Sequence, residues 1–434
     1  MPDTPHQVRL AYGRTGLPVA LPPARTTVVA PAHPAPADDP ARVLRDALRQ
    51  PVSGPPLRDI VRPGQRVAVS VCDVTRPQPR QAMVRALLEE TEGVLDPRDL
   101  TLLVATGTHR ACTGAELRAM FGDELVDSVR IVNHDARDDA SLVWRGVYGA
   151  GVPVWLNREW VDADIRITTG FVEPHFFAGF SGGPKMVAPG LAGLETVLTL
   201  HDATRIGSPR ATWGICEGNP VHDDVRAIAA GTGVDFAFDV ILNGSQQVVE
   251  AFGGPVEQMH AVARERARTV AMRPVSHRFD IVVTSNAGYP LDQNLYQAVK
   301  GMSAAATVVK PGGLILCAAL CEDGFPDHGS FREVLASAAT PGELLASIAA
   351  RPHTVPDQWQ VQVLARVLTT ARVGVYSDNL DSAALRSAHL SKVDDIAETV
   401  AKEIGRIGPQ ASICVLPEGP QTIPYLSQPV TSRR

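Results

Sequence analysis

The sequence predicts an α/β protein of two α/β domains, each with a mostly parallel sheet and helices on both faces. Short, almost wholly apolar runs at residues 66–72, 100–105 and 279–285 are typical of strands buried on both sides. Segments with helical periodicity separate these runs, and such alternation indicates parallel strands joined by crossover helices. Polar clusters directly after several strands are a third observation, because ligands of such folds bind beyond the carboxyl ends of the strands.

Chain length and a break in the pattern predict the domain organisation. At 434 residues, the chain is long enough for two or three domains with a core each. The pattern changes near residues 272–274, so we expect an N-terminal α/β domain over 1–272 and a C-terminal α/β domain over 273–409. A strand-like run at 412–416 leaves open whether residues 410–434 return to the N-terminal domain.

Composition and charge argue against several classes of function. The formal net charge is −6 and the basic residues are scattered, which disfavours nucleic-acid or membrane-surface binding. No apolar run reaches about 18 residues, so no transmembrane helix is predicted. The N-terminus lacks the features of a signal peptide, and the six cysteines are thinly spread, as in reduced proteins. We therefore expect a cytoplasmic location.

Local patterns predict the elements of the first domain. Two runs at 8–12 and 17–21 flank a turn with two glycines and predict a β-hairpin, and Asn243-Gly244 predicts another. Thr113 and Glu116 have the spacing of a capping box. Further strands are predicted at 66–72, 100–105, 129–132, 163–169, 236–242 and 247–252, and helices at 41–49, 81–90, 113–121, 191–205 and 255–269.

The second domain repeats this alternation of apolar runs and helical patterns. The same criteria of period, length and β-branched content distinguish its strands from its helices. Strands are predicted at 279–285, 313–318, 373–376 and 412–416, and helices at 291–306, 331–338, 342–350, 358–370 and 393–404.

A glycine-rich loop at residues 171–190 is the most distinctive stretch of the chain. It carries His175 and Lys185, while Pro184 and Pro189 prevent a continuous helix. Its glycines allow the backbone to approach a ligand closely. Two other polar clusters, at 73–77 and 106–110, also follow strands, so we expect all three to meet at one edge of the sheet.

Three of the twelve histidines lie near expected strand ends, namely His109, His175 and His201. Imidazole suits both proton transfer near neutral pH and metal ligation. No H-E-x-x-H or C-x-x-C pattern is present, which disfavours a zinc site built by the protein alone. The others are expected at the surface or in loops: His6, His33, His134, His222, His260, His277, His328, His353 and His389.

The stretch Gly179-Phe-Ser-Gly-Gly183 matches the G-x-S-x-G pattern of serine hydrolases in letters only. A nucleophile elbow needs strand, sharp turn and helix, whereas Ser181 lies about ten residues past the strand and prolines follow it. The chain has no P-loop pattern, and no G-x-G-x-x-G follows a strand. The amine of Lys185 is nevertheless suited to contact a phosphate or to form a covalent bond.

Several stretches together carry a family resemblance. They are Asp73-Val-Thr-Arg-Pro77, Ala105-Thr-Gly-Thr-His-Arg110, Glu173-Pro-His175, Phe177-Ala-Gly-Phe-Ser-Gly-Gly-Pro-Lys185, His201, Asn294-Leu-Tyr-Gln-Ala-Val-Lys300 and Gly301-Met-Ser-Ala-Ala305. In order and spacing, from about residue 8 to 360, the chain resembles the nickel-dependent lactate racemase family. The joint match is far more specific than any single motif.

The resemblance implies a nickel-pincer nucleotide, a pyridinium-3,5-bisthiocarboxylic acid mononucleotide that holds Ni. Lys185 matches the lysine joined to it through a thioamide, and His201 matches the protein ligand of nickel. Soft sulfur donors with an imidazole suit square-planar nickel. The positions that match cofactor-binding or site-lining residues are Asp73, Tyr296, Gln297 and Trp359, the last on the short match 357–359.

The resemblance also implies racemisation or epimerisation of a 2-hydroxy acid, in an active site in the cleft between the two domains. The α-proton beside a carboxylate is weakly acidic, so hydride transfer to the cofactor, and return to the other face of a planar 2-keto acid, would invert the carbon. His109 and His175 match two alternating acid/base residues for the hydroxyl proton. Arg76 and Lys300 match cationic positions that bind the substrate.

The resemblance leaves the substrate open, because the family includes members that act on 2-hydroxy acids other than lactate. Pro184 also departs from the residues common before the family's lysine. Proteins that build and load the cofactor are expected partners, whereas the oligomeric state is not predicted. Two alternatives remain: a non-catalytic binding protein for a nucleotide or sugar acid, and a serine hydrolase that uses Ser181.

Overall fold

The computed structural model describes residues 6–326 and 329–427. The strands are β1 (His6–Leu10), β2 (Leu17–Leu21), β3 (Thr26–Val28), β4 (Val67–Cys72), β5 (Leu100–Ala105), β6 (Arg130–Asn133), β7 (Leu142–Tyr148), β8 (Val152–Asn157), β9 (Ile165–Phe171), β10 (Pro174–His175), β11 (Gly179–Phe180), β12 (Phe236–Leu242), β13 (Val248–Gly254), β14 (Met272–Val275), β15 (Phe279–Ser285), β16 (Val309–Ala318), β17 (Arg372–Tyr376), β18 (Ser391–Val393), β19 (Ile413–Leu416) and β20 (Ile423–Leu426).

The helices are α1 (Pro40–Arg49), α2 (Leu57–Ile60), α3 (Arg80–Glu90), α4 (Gly114–Phe121), α5 (Asp123–Ser128), α6 (Arg158–Asp162), α7 (Leu194–Leu200), α8 (Ala203–Gly207), α9 (Pro220–Thr232), α10 (Val256–Ala271), α11 (Leu295–Ala306), α12 (Phe331–Leu335), α13 (Pro341–Ala349), α14 (Gln358–Thr370), α15 (Ser382–Ser387) and α16 (Ile396–Ile407). Short 3₁₀ helices lie at Pro23–Arg25, Pro97–Asp99, Asp139–Ser141 and Gly183–Met186. Within the described part of the chain, no helix is both long enough and apolar enough to cross a bilayer.

The described residues form two compact units. The central unit comprises residues 33–201 and 208–270, and the C-terminal unit comprises 6–32, 202–207, 271–326 and 329–427. This division differs from the sequence-based boundaries at both ends of the chain. Residues 6–32, expected in the N-terminal domain, and the described part of 410–434 belong to the C-terminal unit, because β3 pairs with β19 and β19 pairs with β15.

A six-stranded sheet in the order β13-β12-β9-β4-β5-β6 organises the central unit. All neighbours are parallel except β12 and β13, which form the hairpin predicted around Asn243-Gly244. Alternate residues of one strand pack into different apolar clusters, Leu102 and Val104 into one and Leu103 into another. Since successive side chains of a strand point to opposite faces, both faces of this sheet are covered.

The C-terminal unit contains a second six-stranded sheet, in the order β18-β17-β16-β15-β19-β3, in which every pairing is parallel. The predicted N-terminal hairpin of β1 and β2 packs its apolar residues, including Leu10 and Leu21, into a cluster with Ile281 and Leu316. The predicted α/β class with mostly parallel sheets is therefore confirmed.

Two helices near the predicted motifs differ from their predicted bounds. The helix expected at 191–205 is two helices, because Oδ1 of Asp202 accepts a hydrogen bond of 2.7 Å from the backbone N–H of Arg205 and α8 begins there. His201 consequently lies at the end of α7. The helix expected from residue 291 begins later, because the side chain of Asn294 caps α11 by accepting from the N–H of Gln297 at 3.1 Å.

Gly301 allows α11 to pack closely on the end of β15, and this contact yields a stability test. A Cβ at Gly301 would lie 2.2 Å from the carbonyl oxygen of Ser285. We expect Gly301→Ala to lower the free energy of unfolding by at least about 1–3 kcal/mol, because α11 must move away from the strand. Gly405→Ala, in α16 with no atom near the added Cβ, should be neutral or stabilising by up to about 1 kcal/mol. Chemical denaturation measures the free energy of unfolding of both variants. Equal changes in the two variants would contradict this packing role of Gly301.

Candidate functional site

Two polar clusters predicted from the sequence meet at the carboxyl edge of the central sheet. Asp73 follows β4 and His109 lies four residues beyond β5, and these two strands are parallel neighbours. Oδ2 of Asp73 lies 2.6 Å from Nδ1 of His109. The Asp73 residue is 3 % exposed, whereas the His109 side chain is 49 % exposed. The pair therefore joins a buried carboxylate to an imidazole that reaches solvent.

The protonation of this pair follows from its surroundings. Burial alone would raise the pKa of Asp73, but the hydrogen bond and charge of His109, the charge of Arg76 and the Thr75 hydroxyl lower it to about 2. At neutral pH, the carboxylate is ionised and accepts the Nδ1–H of His109. A neutral His109 consequently carries its lone pair on Nε2, which is the arrangement of a general base.

The turn that carries Asp73 and Arg76 is fixed by Arg80, whose role the sequence did not reveal. The guanidinium of this buried arginine donates to the carbonyl oxygens of Cys72 at 2.7 Å and Arg76 at 2.6 Å, and also to that of Asp73. Burial lowers the pKa of Arg80, and these carbonyls satisfy its N–H groups. The Arg76 side chain is partly exposed and contacts the hydroxyl of Thr75 at 3.2 Å.

The ring of Phe177 brings together three of the predicted site residues. Its centroid lies 4.5 Å from the ring of His175 and 5.2 Å from the ring of His201. The amine of Lys185 lies 5.7 Å from the same centroid. The glycine-rich loop and the end of α7 therefore place two imidazoles and one amine around a single aromatic side chain in the central unit.

The two imidazoles beside Phe177 make opposite use of Nδ1. In His201, Nδ1 donates to the carbonyl oxygen of Val197 at 2.7 Å, so a neutral ring presents an unprotonated Nε2. In His175, Nδ1 accepts from the backbone N–H of Ala178 at 3.3 Å, with that of Phe177 at 3.5 Å, so a neutral ring carries its proton on Nε2. His201 thus has the tautomer of a metal ligand, and His175 that of a proton donor.

Buried polar side chains hold the glycine-rich loop from below. Oδ2 of Asp239 accepts from the N–H of Gly183 at 2.6 Å, and His260 donates to the carbonyl oxygen of Ser181 at 2.8 Å. Burial raises the pKa of Asp239 to about 7, although backbone N–H groups oppose this. A single aspartate inside the apolar strand Phe236–Leu242 was a sequence signal that could have revealed this residue.

Three histidines expected at the surface or in loops are buried instead. His134 bridges the carbonyl oxygen of Ala192 and the amide of Asn157, while His222 and His260 stack with ring centroids 5.7 Å apart. The prediction was wrong because an isolated histidine gives no pattern that distinguishes the surface from a hydrogen-bonded interior. His33, His277 and His353 are exposed as predicted and His389 is partly exposed, whereas His328 and the side chain of His6 lie outside the described part.

The remaining predicted site residues cluster in the C-terminal unit. Tyr296, Gln297 and Lys300 lie on α11, and the amine of Lys300 donates to Oε1 of Gln297 at 2.7 Å. Trp359 on α14 is 7 % exposed, and its indole N–H donates to the hydroxyl of Tyr296 at 3.1 Å. The structure therefore brings the four residues into two contacting pairs on neighbouring helices.

The described residues contain no group of three or more His, Cys, Asp or Glu side chains that could hold a metal ion.

Ser181 lacks the surroundings of a catalytic nucleophile. Its Oγ donates to the carbonyl oxygen of Phe171 at 2.9 Å and accepts from the N–H of Glu173 at 2.9 Å. The Ser181 hydroxyl therefore ties the loop to itself.

Comparison with protein families and curated proteins assigns the chain to one class. Residues 12–214 match the lactate racemase N-terminal domain, and residues 275–423 match the lactate racemase C-terminal domain. A lactate racemase of Thermoanaerobacterium thermosaccharolyticum is 34 % identical over 88 % of this chain and 89 % of its own. One of Lactiplantibacillus plantarum is 34 % identical over 87 % of this chain and 89 % of its own.

Solved structures agree with this assignment. The lactate racemase apoprotein of Thermoanaerobacterium thermosaccharolyticum superposes with a TM-score of 0.91 at 32 % identity, covering 97 % of this chain and all of the other. A protein of Thermotoga maritima shares the fold, with a TM-score of 0.65 at 18 % identity over 92 % of this chain and all of the other. The chain belongs to the lactate racemase family, and by this membership it is an enzyme of the isomerase class.

The coupling of Asp73 to His109 can be tested by acid titration of stability. Because the pKa of Asp73 is lower in the folded state than in the unfolded state, its ionisation stabilises the fold above about pH 4. This contribution to the free energy of unfolding is lost as the pH falls towards 2. We expect Asp73→Asn to cost about 2 kcal/mol at pH 7, and the difference from the wild type to narrow on acidification. Chemical denaturation from pH 7 to pH 3 measures this difference.

Asp96 provides the control for that titration. Its pKa is also lowered to about 2, by Arg98, but the pair is solvent-exposed. Solvent screens such pairs, so Asp96→Asn should change stability much less than Asp73→Asn. If the difference in unfolding free energy between the wild type and Asp73→Asn did not depend on pH, the coupling of Asp73 to His109 would be contradicted.

Proposed function

We propose that this protein is a racemase or epimerase of a 2-hydroxy acid that uses a nickel-pincer nucleotide tethered to Lys185. The observation that carries the proposal is the gathering of His175, Lys185 and His201 around Phe177. The Asp73–His109 pair lies in the same unit of a chain that belongs to the lactate racemase family. The relatives' names support a small hydroxy acid as substrate.

The residues present fit this cofactor. One amine and one imidazole with an unprotonated Nε2 suit a group that brings further metal ligands of its own. Lys185 would hold the cofactor covalently and His201 would ligate nickel, with Asp73, Gln297, Tyr296 and Trp359 as further contacts. When bound, the cofactor would accept a hydride from the substrate α-carbon and return it.

Two histidines with opposite tautomers are suited to alternate as acid and base. His109, with Nδ1–H held by Asp73, would accept the hydroxyl proton of one enantiomer at Nε2. His175, with Nδ1 receiving backbone N–H groups, would donate a proton from Nε2 to the oxygen on the other face. In the reverse direction the roles exchange, so each enantiomer has its own base.

Two cations are proposed to bind the substrate carboxylate. Arg76 offers a guanidinium on a turn that Arg80 fixes, and a guanidinium can hold a carboxylate with two parallel hydrogen bonds. Lys300 is oriented by its contact with Gln297. The indole of Trp359 likewise fixes the hydroxyl of Tyr296.

The histidine roles predict a separation of the two half-reactions. We expect His109→Gln and His175→Gln each to lower racemisation by about 10²–10⁴-fold, since both directions need an acid and a base. In single turnovers followed by rapid quenching, each variant should form the 2-keto acid from one enantiomer of the substrate but not from the other. The enantiomer that fails to react should differ between the two variants. If both variants failed with the same enantiomer, the alternating roles would be wrong.

Ser181→Ala is the matched control for these variants and tests the hydrolase alternative. The Oγ contacts are confined to the backbone of its own loop, so its loss should reduce racemisation far less than either histidine change. A hydrolytic activity abolished by Ser181→Ala would favour the serine hydrolase instead.

The proposed cofactor is tested by mass and metal content. Protein co-produced with proteins that make and load the cofactor should carry an adduct of mononucleotide size on Lys185 and about one nickel per chain. Lys185→Arg keeps a positive charge beside Phe177 but cannot form the thioamide, so it should lack the adduct. If the wild type carried neither adduct nor nickel although the maturation proteins were functional, the proposed cofactor would be wrong. The alternative of a non-catalytic binding protein would then be favoured.

A further inference from the structure

A small cavity lies between α9 and α10 of the central unit, next to the glycine-rich loop. Its volume is about 100 Å³. Alanine side chains of both helices form part of its wall, and the polar lining consists of His222, Arg226, Glu257, His260 and Arg264, with Pro184 of the loop. None of these residues belongs to the site proposed for racemisation.

Arg264 is the unusual member of this lining. Its guanidinium is partly buried, donates to Nε2 of His222 at 3.3 Å and contacts the thiol of Cys216. Among the described residues, no carboxylate forms an ion pair with Arg264, and its Nε is buried without a hydrogen-bond partner. Burial of a charge without a counter-charge is unfavourable, so a counter-ion from outside the chain would stabilise this arrangement.

The other walls leave that positive charge uncompensated. His222 and His260 are 1 % and 3 % exposed, and burial together with Arg264 lowers the pKa of each to about 3. Both rings are therefore neutral near pH 7. The carboxylate of Glu257 is engaged by Arg226 at 3.4 Å in an exposed pair. The cavity thus combines the Arg264 guanidinium, which has no carboxylate partner, with two neutral imidazoles, the mutually compensating Arg226–Glu257 pair and alanine side chains.

We propose that this cavity binds a small oxyanion, a phosphate or carboxylate group, with Arg264 as its principal ligand. The volume admits an inorganic phosphate ion or the acid group of a small metabolite, but not a nucleotide. Because Pro184 lines the cavity and directly precedes Lys185, the occupant lies against the loop that carries this lysine. The site is independent of the proposed racemase chemistry and exists without the cofactor.

Anion titration of the full-length protein, without cofactor, tests the site. We expect inorganic phosphate or acetate, at ionic strength matched with chloride, to give saturable heat in calorimetry and to raise the unfolding temperature. Arg264→Met should weaken this binding by at least about tenfold. Arg266→Met is the control, because Arg266 lies on the same helix and pairs with Glu250 at 2.6 Å outside the cavity.

A second variant keeps the test valid if Arg264→Met does not fold. Ala261 lines the cavity, so Ala261→Leu would fill it while every charged group is retained, and binding should again be lost. A response to phosphate alone assigns a phosphate ligand, and a response to acetate assigns a carboxylate. If the anions stabilised the wild type and both variants equally, the cause would be general exclusion of ions from the protein surface, and the proposal would be overturned. The proposal would also be overturned if chloride stabilised the wild type as much as phosphate or acetate does.

Discussion

The contact between Asp73 and His109 depends on the parallel pairing of β4 and β5. The two residues are 36 positions apart, yet the ends of neighbouring parallel strands bring them within 2.6 Å. An ionised carboxylate at this depth requires hydrogen bonds, which His109 and Thr75 supply. The remaining features of this edge follow, since Arg80 fixes the turn around the carboxylate and leaves Arg76 at the surface.

The glycine-rich loop shows how a segment with little regular structure is held in one conformation. Only two short strands and one 3₁₀ turn interrupt it, so many of its backbone groups need partners from elsewhere. Asp239, His260 and Asn219 supply them from the interior. The cost of burying these polar groups is offset because each forms hydrogen bonds. His175 adds to them from within the loop, since its Nδ1 accepts from the backbone N–H of Ala178.

The same helices that support the loop also enclose the proposed anion cavity. His260 donates to the loop and lines the cavity, and His222 contacts Arg264 there. The loop therefore has a polar layer on its inner side that is distinct from the aromatic ring on which His175 and His201 lie. An occupant of the cavity would contact Pro184, the residue directly before Lys185.

Much of the fold could be predicted because burial on both faces leaves a simple signature in the sequence. Almost wholly apolar runs identified β4, β5 and β15, and an alternating, β-branched run at 163–169 identified β9. Asn243-Gly244 identified the hairpin of β12 and β13. The bounds of α7, α8 and α11 were missed, because a side-chain cap by Asp202 or Asn294 competes with a continuous helical pattern.

The sequence by itself determined the fold class, the family and which residue types were available for chemistry, since these reside in local pattern and motif order. Tertiary structure decided which of these residues touch and which nitrogen of each histidine is protonated. His109, His175 and His201 are the same residue type in the sequence, but their partners differ. A carboxylate and a carbonyl oxygen place the proton of His109 and of His201 on Nδ1, whereas backbone N–H groups place that of His175 on Nε2. Phe177 gained its role through contact with His201, and Asp239 through its hydrogen bond to Gly183 of the glycine-rich loop, because folding brings together segments that lie far apart in the sequence.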